Sequence, residues 1–390
     1  MSADEPVRLL FDPSLKVAGQ RIEGAVEVYW PGVIEKKIEE LVVKLRGTIL
    51  TSVQSTVSYD GRTQNPTETQ EITLIQEDVT VWHRGGAAPA SDTPLVRFPF
   101  AFVLPPNLPP SCDLGSSAKK GRVGYYVEAV GKRPGLHFNK HALAPFAVLP
   151  ALDEGAQLAD ALRAGWQGPW SAVEQEKEIR RGLWGEHAHV KIILALPTVA
   201  IFPVFAPIPF SLTVTTLSKH MHRDDTPSDG EPIFPAPPLK PSELEFKLER
   251  DMHVKARAWA ASSEGAFVQY LGGLGPDLPL TEYERVRVQR AENVWVPSEK
   301  DKGAWRQEAT IRSFFELTCP PSFDSSTMSV NYQLRLKVDF PGIGNDLKID
   351  VPIRVSSSFH SPGHSGWQLS PPPQMELPPE YFQAANWTKD

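Results

Sequence analysis

The residues with the clearest potential for recognition chemistry lie near the end of the 390-residue sequence, where Leu377 precedes Pro378-Pro379-Glu380-Tyr381, a PPxY motif. Consecutive prolines favour the polyproline II conformation, so little conformational entropy is lost when such a segment binds an aromatic-lined groove. Tyr381 can place its ring in a neighbouring pocket and hydrogen-bond through its hydroxyl. The pattern predicts a WW-domain ligand at Leu377, Pro378, Pro379, Glu380 and Tyr381, and a chance occurrence in a Pro-rich tail is the alternative.

A second candidate is the apolar stretch 192–210, whose length approaches that of a membrane span. Its four prolines would repeatedly break the hydrogen-bond ladder of a helix, and an unpaired backbone is not stable in hydrocarbon. We therefore expect two strands, Val190–Leu196 and Phe210–Leu217, joined by an apolar loop. Phe202 and Phe205 in that loop could contact a membrane or cargo, or could pack beneath the domain interface.

A third candidate is a basic stretch that could meet acidic tails or anionic lipid headgroups, with a solvated loop as the alternative reading. It contains Lys119, Lys120 and Arg122, followed by Lys132 and Arg133.

Enzymatic chemistry has little support in the sequence. His220, His222, Asp224 and Asp225 have the side chains of metal ligands, but a metal site needs rigid geometry, and this segment lacks periodicity. A phosphate-binding loop and a G-x-S-x-G nucleophile motif are both absent from the sequence. We expect no enzyme activity, no metal and no cofactor.

Composition narrows the class of protein further. The formal charge of −7 gives no basic field for nucleic acid, so no nucleic-acid partner is expected. The first residues show no secretory signal, and two cysteines suit a reducing compartment. The 38 prolines disfavour long helices and favour short strands joined by stiff turns.

The elements that must position these candidates read as two copies of one β-domain. Glu40–Leu45 is echoed by Glu243–Leu248, and Phe98–Pro106 is echoed by Phe314–Ser322. Cys112 and Cys319 each neighbour prolines and serines, which suggests matching positions in the two copies and a structural role. Period-two alternation is clearest at Val330–Val338 and Leu347–Val355, which predicts a hairpin with one buried face. Other predicted strands are Ile22–Trp30, Leu41–Leu50, Glu71–Gln76, Phe98–Leu104, Val123–Val130, Glu243–Leu248, His253–Trp259, Val286–Val288 and Ala309–Leu317.

Many short strands predict an all-β fold of two tandem β-sandwich domains. We assign residues 5–150 to an N-domain, 151–186 to a helical connector, 187–356 to a C-domain with a flexible loop at 219–241, and 357–390 to a disordered tail. The connector is predicted to hold two helical stretches, beginning at Leu152 and at Ser171. An insert on the edge of one domain is the alternative.

The two halves resemble arrestins, specifically the α-arrestin or arrestin-domain-containing branch. The resemblance is carried by Val17–Gly24, Val42–Gly47, Gly124–Ala129, Ile208–Val214 and Ser329–Val355. It implies two concave, immunoglobulin-like sandwiches without catalysis. Arg8 and Lys16 are the only bases between residues 7 and 16, so the paired phosphate-sensing lysines of visual and β-arrestins are not carried over.

With the PPxY motif, this resemblance implies an adaptor that links cytosolic tails of membrane-protein cargo to a WW-domain HECT-type ubiquitin ligase. Such an adaptor would promote cargo ubiquitination and endocytosis from a cytoplasmic location, with peripheral recruitment to the plasma membrane or endosomes. A trafficking scaffold of the retromer-subunit type, which needs no PPxY tail, is the main alternative. A metal hydrolase using the His220 cluster is the third.

Overall fold

The computed structural model describes residues 5–59, 62–86, 94–135, 137–181, 187–225, 232–298 and 301–363. Within these ranges the chain is mainly β-strand, with short helices α1 (Trp30–Glu35), α2 (Asp153–Arg163) and α3 (Leu280–Glu284). The strands of the N-domain are β1 (Val7–Phe11), β2 (Lys16–Val17), β3 (Arg21–Tyr29), β4 (Glu40–Gln54), β5 (Val57–Tyr59), β6 (Arg62–Gln64), β7 (Thr67–His83), β8 (Leu95–Val103), β9 (Cys112–Ser116), β10 (Lys119–Lys132), β11 (Lys140–Phe146) and β12 (Val148–Leu149).

The strands that follow α2 build the C-domain. They are β13 (Trp170–Arg180), β14 (His187–Pro197), β15 (Phe202–Pro203), β16 (Ile208–Leu217), β17 (Met221–His222), β18 (Leu244–Ala256), β19 (Trp259–Tyr270), β20 (Arg287–Arg290), β21 (Val294–Pro297), β22 (Lys302–Phe315), β23 (Phe323–Asp324), β24 (Met328–Val338), β25 (Leu347–Ile353) and β26 (Val355–Ser356). Short 3-10 turns occur at Arg223–Asp225 and Pro241–Glu243.

The sheet topology confirms the all-β fold and shows the duplication strand by strand. In the N-domain, a sheet ordered β1-β3-β8 faces a sheet ordered β11-β10-β4-β7, and β9 pairs with β10. In the C-domain the same arrangement appears as β14-β16-β22 facing β25-β24-β18-β19, with β23 on β24. Each domain also closes with a short parallel pair, β2 with β12 and β15 with β26. Two sandwiches of one topology therefore lie in tandem.

Alternating burial explains why these segments become strands. Along β24 the residues from Met328 to Val338 alternate between buried and more exposed positions, and β25 continues the pattern after the turn. Antiparallel pairing of Tyr332 with Ile353 and of Val338 with Leu347 confirms the predicted hairpin. Pro352 lies on β25, which pairs only with β24 among the described strands, as expected for an edge strand.

Matching tyrosines mark the two copies inside the cores. The hydroxyl of Tyr125 on β10 donates to the carbonyl of Pro109 at 2.7 Å, and the hydroxyl of Tyr332 on β24 donates to the carbonyl of Pro320 at 2.8 Å. Both rings are almost completely buried. The duplicated motifs of the sequence therefore correspond to duplicated contacts in space.

The domains meet at the ends of β4, β7 and β10 in the N-domain and of β18 and β19 in the C-domain. Thr51 Oγ1 donates to the carbonyl of Lys255 at 2.6 Å, and the amide of Arg257 donates to Gln70 Oε1 at 2.6 Å. At Gly121, a Cβ atom would meet Met328 Sδ at 2.5 Å, so the missing side chain lets the two domains approach closely. This interface lies at one end of each sandwich.

Helix α2 joins the domains at a second place, where residues 356–363 run across it. The amide of Leu152 donates to the carbonyl of Phe359 at 2.9 Å, and the amide of Ser361 donates to Asp153 Oδ1 at 2.8 Å. A Cβ on Gly155 would stand 2.2 Å from the carbonyl oxygen of Ser357, so glycine is required for this crossing. The first part of the predicted tail is thus packed against the helix rather than disordered.

Three other expectations need correction. The second predicted helical stretch, which begins at Ser171, is instead part of strand β13. The backbone of β13 pairs with that of β14 along its whole length, and a helix could not form these cross-strand hydrogen bonds. The predicted strand at 253–259 is interrupted, because a turn at Arg257, with φ of 54°, separates β18 from β19. In the predicted flexible loop, Ile233 is buried and its carbonyl accepts a hydrogen bond from Gln307 Nε2 at 2.9 Å.

Candidate binding surfaces

The sequence-predicted sites that fall on described residues are distributed over the two domains rather than gathered in one place. Leu377, Pro378, Pro379, Glu380 and Tyr381 lie outside the described residues, so the WW-ligand prediction stays a prediction. The last described residues, up to Gly363, lie beside α2 and next to Gly19 of the N-domain. The last described residues therefore lie close to the junction of the two domains.

Phe202 and Phe205 are not exposed on a loop tip. Phe202 lies on β15 with 6% of its surface exposed, and Phe205 is half-buried with its ring 6.5 Å from that of Phe359. The carbonyl of Phe205 accepts a hydrogen bond from Arg163 Nη2 at 3.1 Å. The burial of Phe202 contradicts the membrane or cargo contact expected of that ring. Both rings pack inside the fold, as the alternative interpretation predicts.

The basic residues of the predicted stretch lie at opposite ends of strand β10. Lys119, Lys120 and Arg122 lie at the start of β10, where Lys120 Nζ is 3.2 Å from Asp113 Oδ1, Arg122 pairs with the same carboxylate, and Lys119 donates to the carbonyl of Ser262. Lys132 and Arg133 lie at the other end of the same strand. The first three residues support the strand and the domain contact, and they do not form a solvated loop.

Neither cysteine chemistry nor a metal site is built in the described part of the chain. Cys112 and Cys319 are buried free thiols, and burial raises the pKa of each to about 12, so neither is a thiolate nucleophile at neutral pH. No group of three or more His, Cys, Asp or Glu side chains in the described ranges is arranged to hold a metal. His220, His222, Asp224 and Asp225 all lie within the described residues, with His222 on β17 and both aspartates in the 3-10 turn that follows it.

A surface that the sequence reading missed lies along the outer edge of β1. Among the described strands β1 pairs with β3 alone, so its other edge carries backbone groups without a strand partner. A groove with a cavity volume of about 640 Å³ runs between this edge and β11, lined by residues 5–9 and 140–143. An extended peptide could add to β1 here as a further strand.

The groove is weakly basic. Arg8 and Lys140 outnumber Glu5 among its charged residues, and His141 adds positive charge when it is protonated. His141 Nδ1 lies 2.7 Å from Glu128 Oε1, which holds that ring on the surface of β11. An acidic extended segment is therefore the best electrostatic match for this edge.

The C-domain shows the same edge in a covered state. Strand β14 is the counterpart of β1, and β13 pairs with it in antiparallel register from Trp170 to Arg180. Strand β13 also packs beside β25, the counterpart of β11. Because β13 was read as helix, its role as an added strand was not visible in the sequence. The sequence carries no clear signal for this strand, because polar Gln175 and Lys177 separate Val173 from Ile179 and only Ile179 is buried.

The comparisons with known proteins agree with this fold. Residues 9–154 match the family model described as "Arrestin (or S-antigen), N-terminal domain", which covers the chain from β1 to the start of α2. The match supports an arrestin-like protein, and arrestin domains are in general non-enzymatic adaptors in trafficking. No significant match appears among curated proteins. In the described residues, no helix has the length and apolar character needed to cross a membrane.

Proposed function

We propose that this protein is an α-arrestin-type adaptor that holds the cytosolic tail of a membrane protein and recruits a WW-domain HECT-type ubiquitin ligase. The tail would bind as an added strand on β1, and the ligase would bind Pro378-Pro379-Glu380-Tyr381. Ubiquitin transfer belongs to the ligase. The adaptor supplies proximity, which raises the effective concentration of ligase at its substrate.

The observation that carries this proposal is the uncovered β1 edge with its groove between residues 5–9 and 140–143. A cargo tail is flexible, and strand addition satisfies its backbone hydrogen bonds while alternate side chains enter the groove. The position of the PPxY motif adds a second support, because it stands about 14 residues after Gly363, in a stretch of sequence that follows the junction of the two domains.

The ligase arm is tested by capture of the full-length protein on an immobilised WW domain. We expect the wild type to bind and Tyr381→Ala to lose at least about tenfold in affinity, because the aromatic ring and the hydroxyl contact are both removed. Pro372→Ala, which lies upstream of the motif, is the matched control and should bind within about twofold of wild type. Equal binding by wild type and Tyr381→Ala would remove ligase recruitment from the proposal.

The cargo arm is measured on the same proteins with a fluorescent acidic peptide of extended conformation. Arg8→Glu should weaken binding about fivefold or more, since it reverses a charge in the groove. Arg287→Glu, an equal charge change on β20 of the C-domain, is the control and should leave binding unchanged. If the two variants behave alike, the peptide does not bind at the β1 edge.

A further inference from the structure

The end of the N-domain that lies far from the C-domain carries apolar side chains that none of the described residues covers. We define the N-tip as residues 33–40, 83–86, 132–135 and 137–140. Phe138 in the turn between β10 and β11 is 92% exposed, and Ile34 on α1 is 66% exposed. Large exposed apolar side chains on adjoining turns are typical of a contact surface, since a single one needs no explanation but a group does.

One guanidinium holds the two turns together. Arg133 Nε donates to the carbonyl of Lys36 at 2.6 Å, and Arg133 Nη1 donates to the carbonyl of Phe138 at 3.4 Å. The amide of Arg133 also donates to Asn139 Oδ1 at 3.0 Å. Because these bonds fix the backbone on both sides, Ile34 and Phe138 are presented by a connected surface rather than by two independent loops.

The N-tip is basic in a protein whose net charge is −7. From the last residue of β10 to the first residue of β11, Lys132, Arg133 and Lys140 contribute three positive charges and no residue contributes a negative one. In the other two segments, Lys36, Lys37 and Arg84 balance Glu35, Glu39 and Glu40. The N-tip therefore carries a net charge of +3, and this sum follows from the residues just named.

The position of the N-tip suits contact with a flat surface. Strand β4 runs from Glu40 at the N-tip to Thr51 at the domain interface, a distance of roughly 36 Å for 11 residues of extended chain. Among the described residues, the N-tip is thus the end of the N-domain that lies farthest from the C-domain. It also adjoins the β1 groove, since Lys140 belongs to both and Val7 at the start of β1 packs near Gly131.

We infer that the N-tip is a docking surface for an anionic lipid bilayer, with Phe138 and Ile34 in the interface and the basic side chains at the headgroups. The biological role of this docking rests on the proposed function, because a membrane-bound N-tip would bring the β1 groove to the cytosolic tail of a membrane protein. The excess of positive charge beside exposed apolar side chains selects the bilayer over a neutral apolar partner.

The C-domain provides a matched control. Its equivalent turn, residues 338–347 between β24 and β25, carries Ile343 with 99% exposure. That turn has a net charge of −2 from Asp339 and Asp346. It therefore presents an apolar side chain in the same topological place without the positive charge.

The test is sedimentation of full-length protein with vesicles of phosphatidylcholine alone or with about 30% phosphatidylserine. We expect at least about tenfold stronger binding to the anionic vesicles, weakened by salt because the charge term is screened. Phe138→Ser should lower that binding about tenfold and Lys37→Gln about fivefold, while Ile343→Ser should stay within about twofold of wild type. Because Phe138 and Ile343 are exposed, neither serine variant should lower the melting temperature.

Absence of wild-type binding to the anionic vesicles would overturn the inference, as would equal losses in Phe138→Ser and Ile343→Ser. A concentration-dependent dimer that Phe138→Ser converts to monomer, without vesicle binding, would also overturn it and assign the N-tip to self-association. WW-domain capture of the same samples is independent of these results. Failure of ligase recruitment and failure of membrane docking are therefore read from different measurements.

Discussion

The two sandwiches share their strand order but differ at one edge. In the C-domain, β13 covers β14, and its Lys177 Nζ donates to the carbonyl of Gly344 at 2.6 Å. In the N-domain, no described strand covers the equivalent edge of β1, and a groove lies beside it. The duplicated domain is thus seen once with an added strand and once without it. The covered copy shows that this edge geometry accepts an antiparallel strand, which is why the uncovered copy is the stronger candidate for peptide binding.

The end turns of the two domains, at Asn345 and at Phe138, also differ in whether an added strand holds them. Asn345 at the end of the C-domain donates through Nδ2 to the carbonyl of Arg180 on β13 at 2.8 Å, so the extra strand also ties down that turn. The turn at Phe138 is instead held by Arg133, and no strand corresponding to β13 lies beside it among the described residues. Among the described residues, the C-domain thus has both its edge and its end turn bound by β13, whereas the N-domain has neither bound by a further strand.

The largest expected effect tests whether β13 is a fixed part of the C-domain. Ile179 is the buried residue of β13, whereas the strand's other residues are exposed. Ile179→Ala should lower the free energy of unfolding by about 3 kcal/mol, because it removes buried methyl groups and leaves a cavity. Urea unfolding followed by circular dichroism measures the change.

Val173→Ala is the control for that substitution. Val173 lies on the same strand but is 40% exposed, so its loss should cost less than about 0.5 kcal/mol. If both substitutions cost little, β13 is not anchored by Ile179. The comparison between a permanently covered edge and an open one would then lose its basis.

Structural features that depend on one segment of the chain could be predicted from the sequence. Features that depend on how two segments pack together could not. Strands such as β24 were readable because one face is buried, which alternates hydrophobicity along the chain. Strand β13 has almost no buried face, and Ser171 with Glu174 imitates the start of a helix, so pattern alone misassigned it. The groove was missed because no local pattern says which edge of a sheet stays uncovered. Lys119 and Lys132 were grouped because they are near in sequence, although a strand separates them in space.

An intermediate effect tests whether the cores of the two copies are equivalent. Tyr125→Phe and Tyr332→Phe should each lower the free energy of unfolding by about 1 kcal/mol, because each leaves a proline carbonyl without its hydrogen-bond donor. Both residues are buried, and burial raises the pKa of each hydroxyl well above its usual range, so neither ionises at neutral pH. Urea unfolding of both single variants and of the double variant measures the costs.

The double variant is the internal control for that pair. If the two contacts are independent, the costs should add within about 0.5 kcal/mol. If one substitution lowers the free energy of unfolding more than twice as much as the other, the two matching hydrogen bonds do not contribute equally to stability.

The smallest expected effect concerns the short parallel pairs that close each domain. Lys16 on β2 occupies the place that Phe202 has on β15, since they pair with Val148 and Val355 respectively. Lys16 is buried, and its Nζ lies 2.8 Å from Asp12 Oδ2. Hydrogen bonds from Lys16, and then from Ser14, lower the pKa of the Asp12 carboxyl from 3.8 to about 2.

A carboxyl whose pKa is lower in the folded state stabilises the fold above its unfolded pKa and loses that contribution as the pH falls towards its folded pKa. Asp12→Asn should therefore destabilise the protein at pH 6 by less than about 1 kcal/mol, because the carboxylate is largely exposed and screened by solvent. The difference from wild type should shrink between about pH 4 and pH 2, measured by urea unfolding at each pH. Lys16→Met, which brings β2 closer to the apolar character of β15, should remove the same pH dependence. A pH-independent cost of Asp12→Asn would mean that this ion pair does not distinguish the N-domain closure from that of the C-domain.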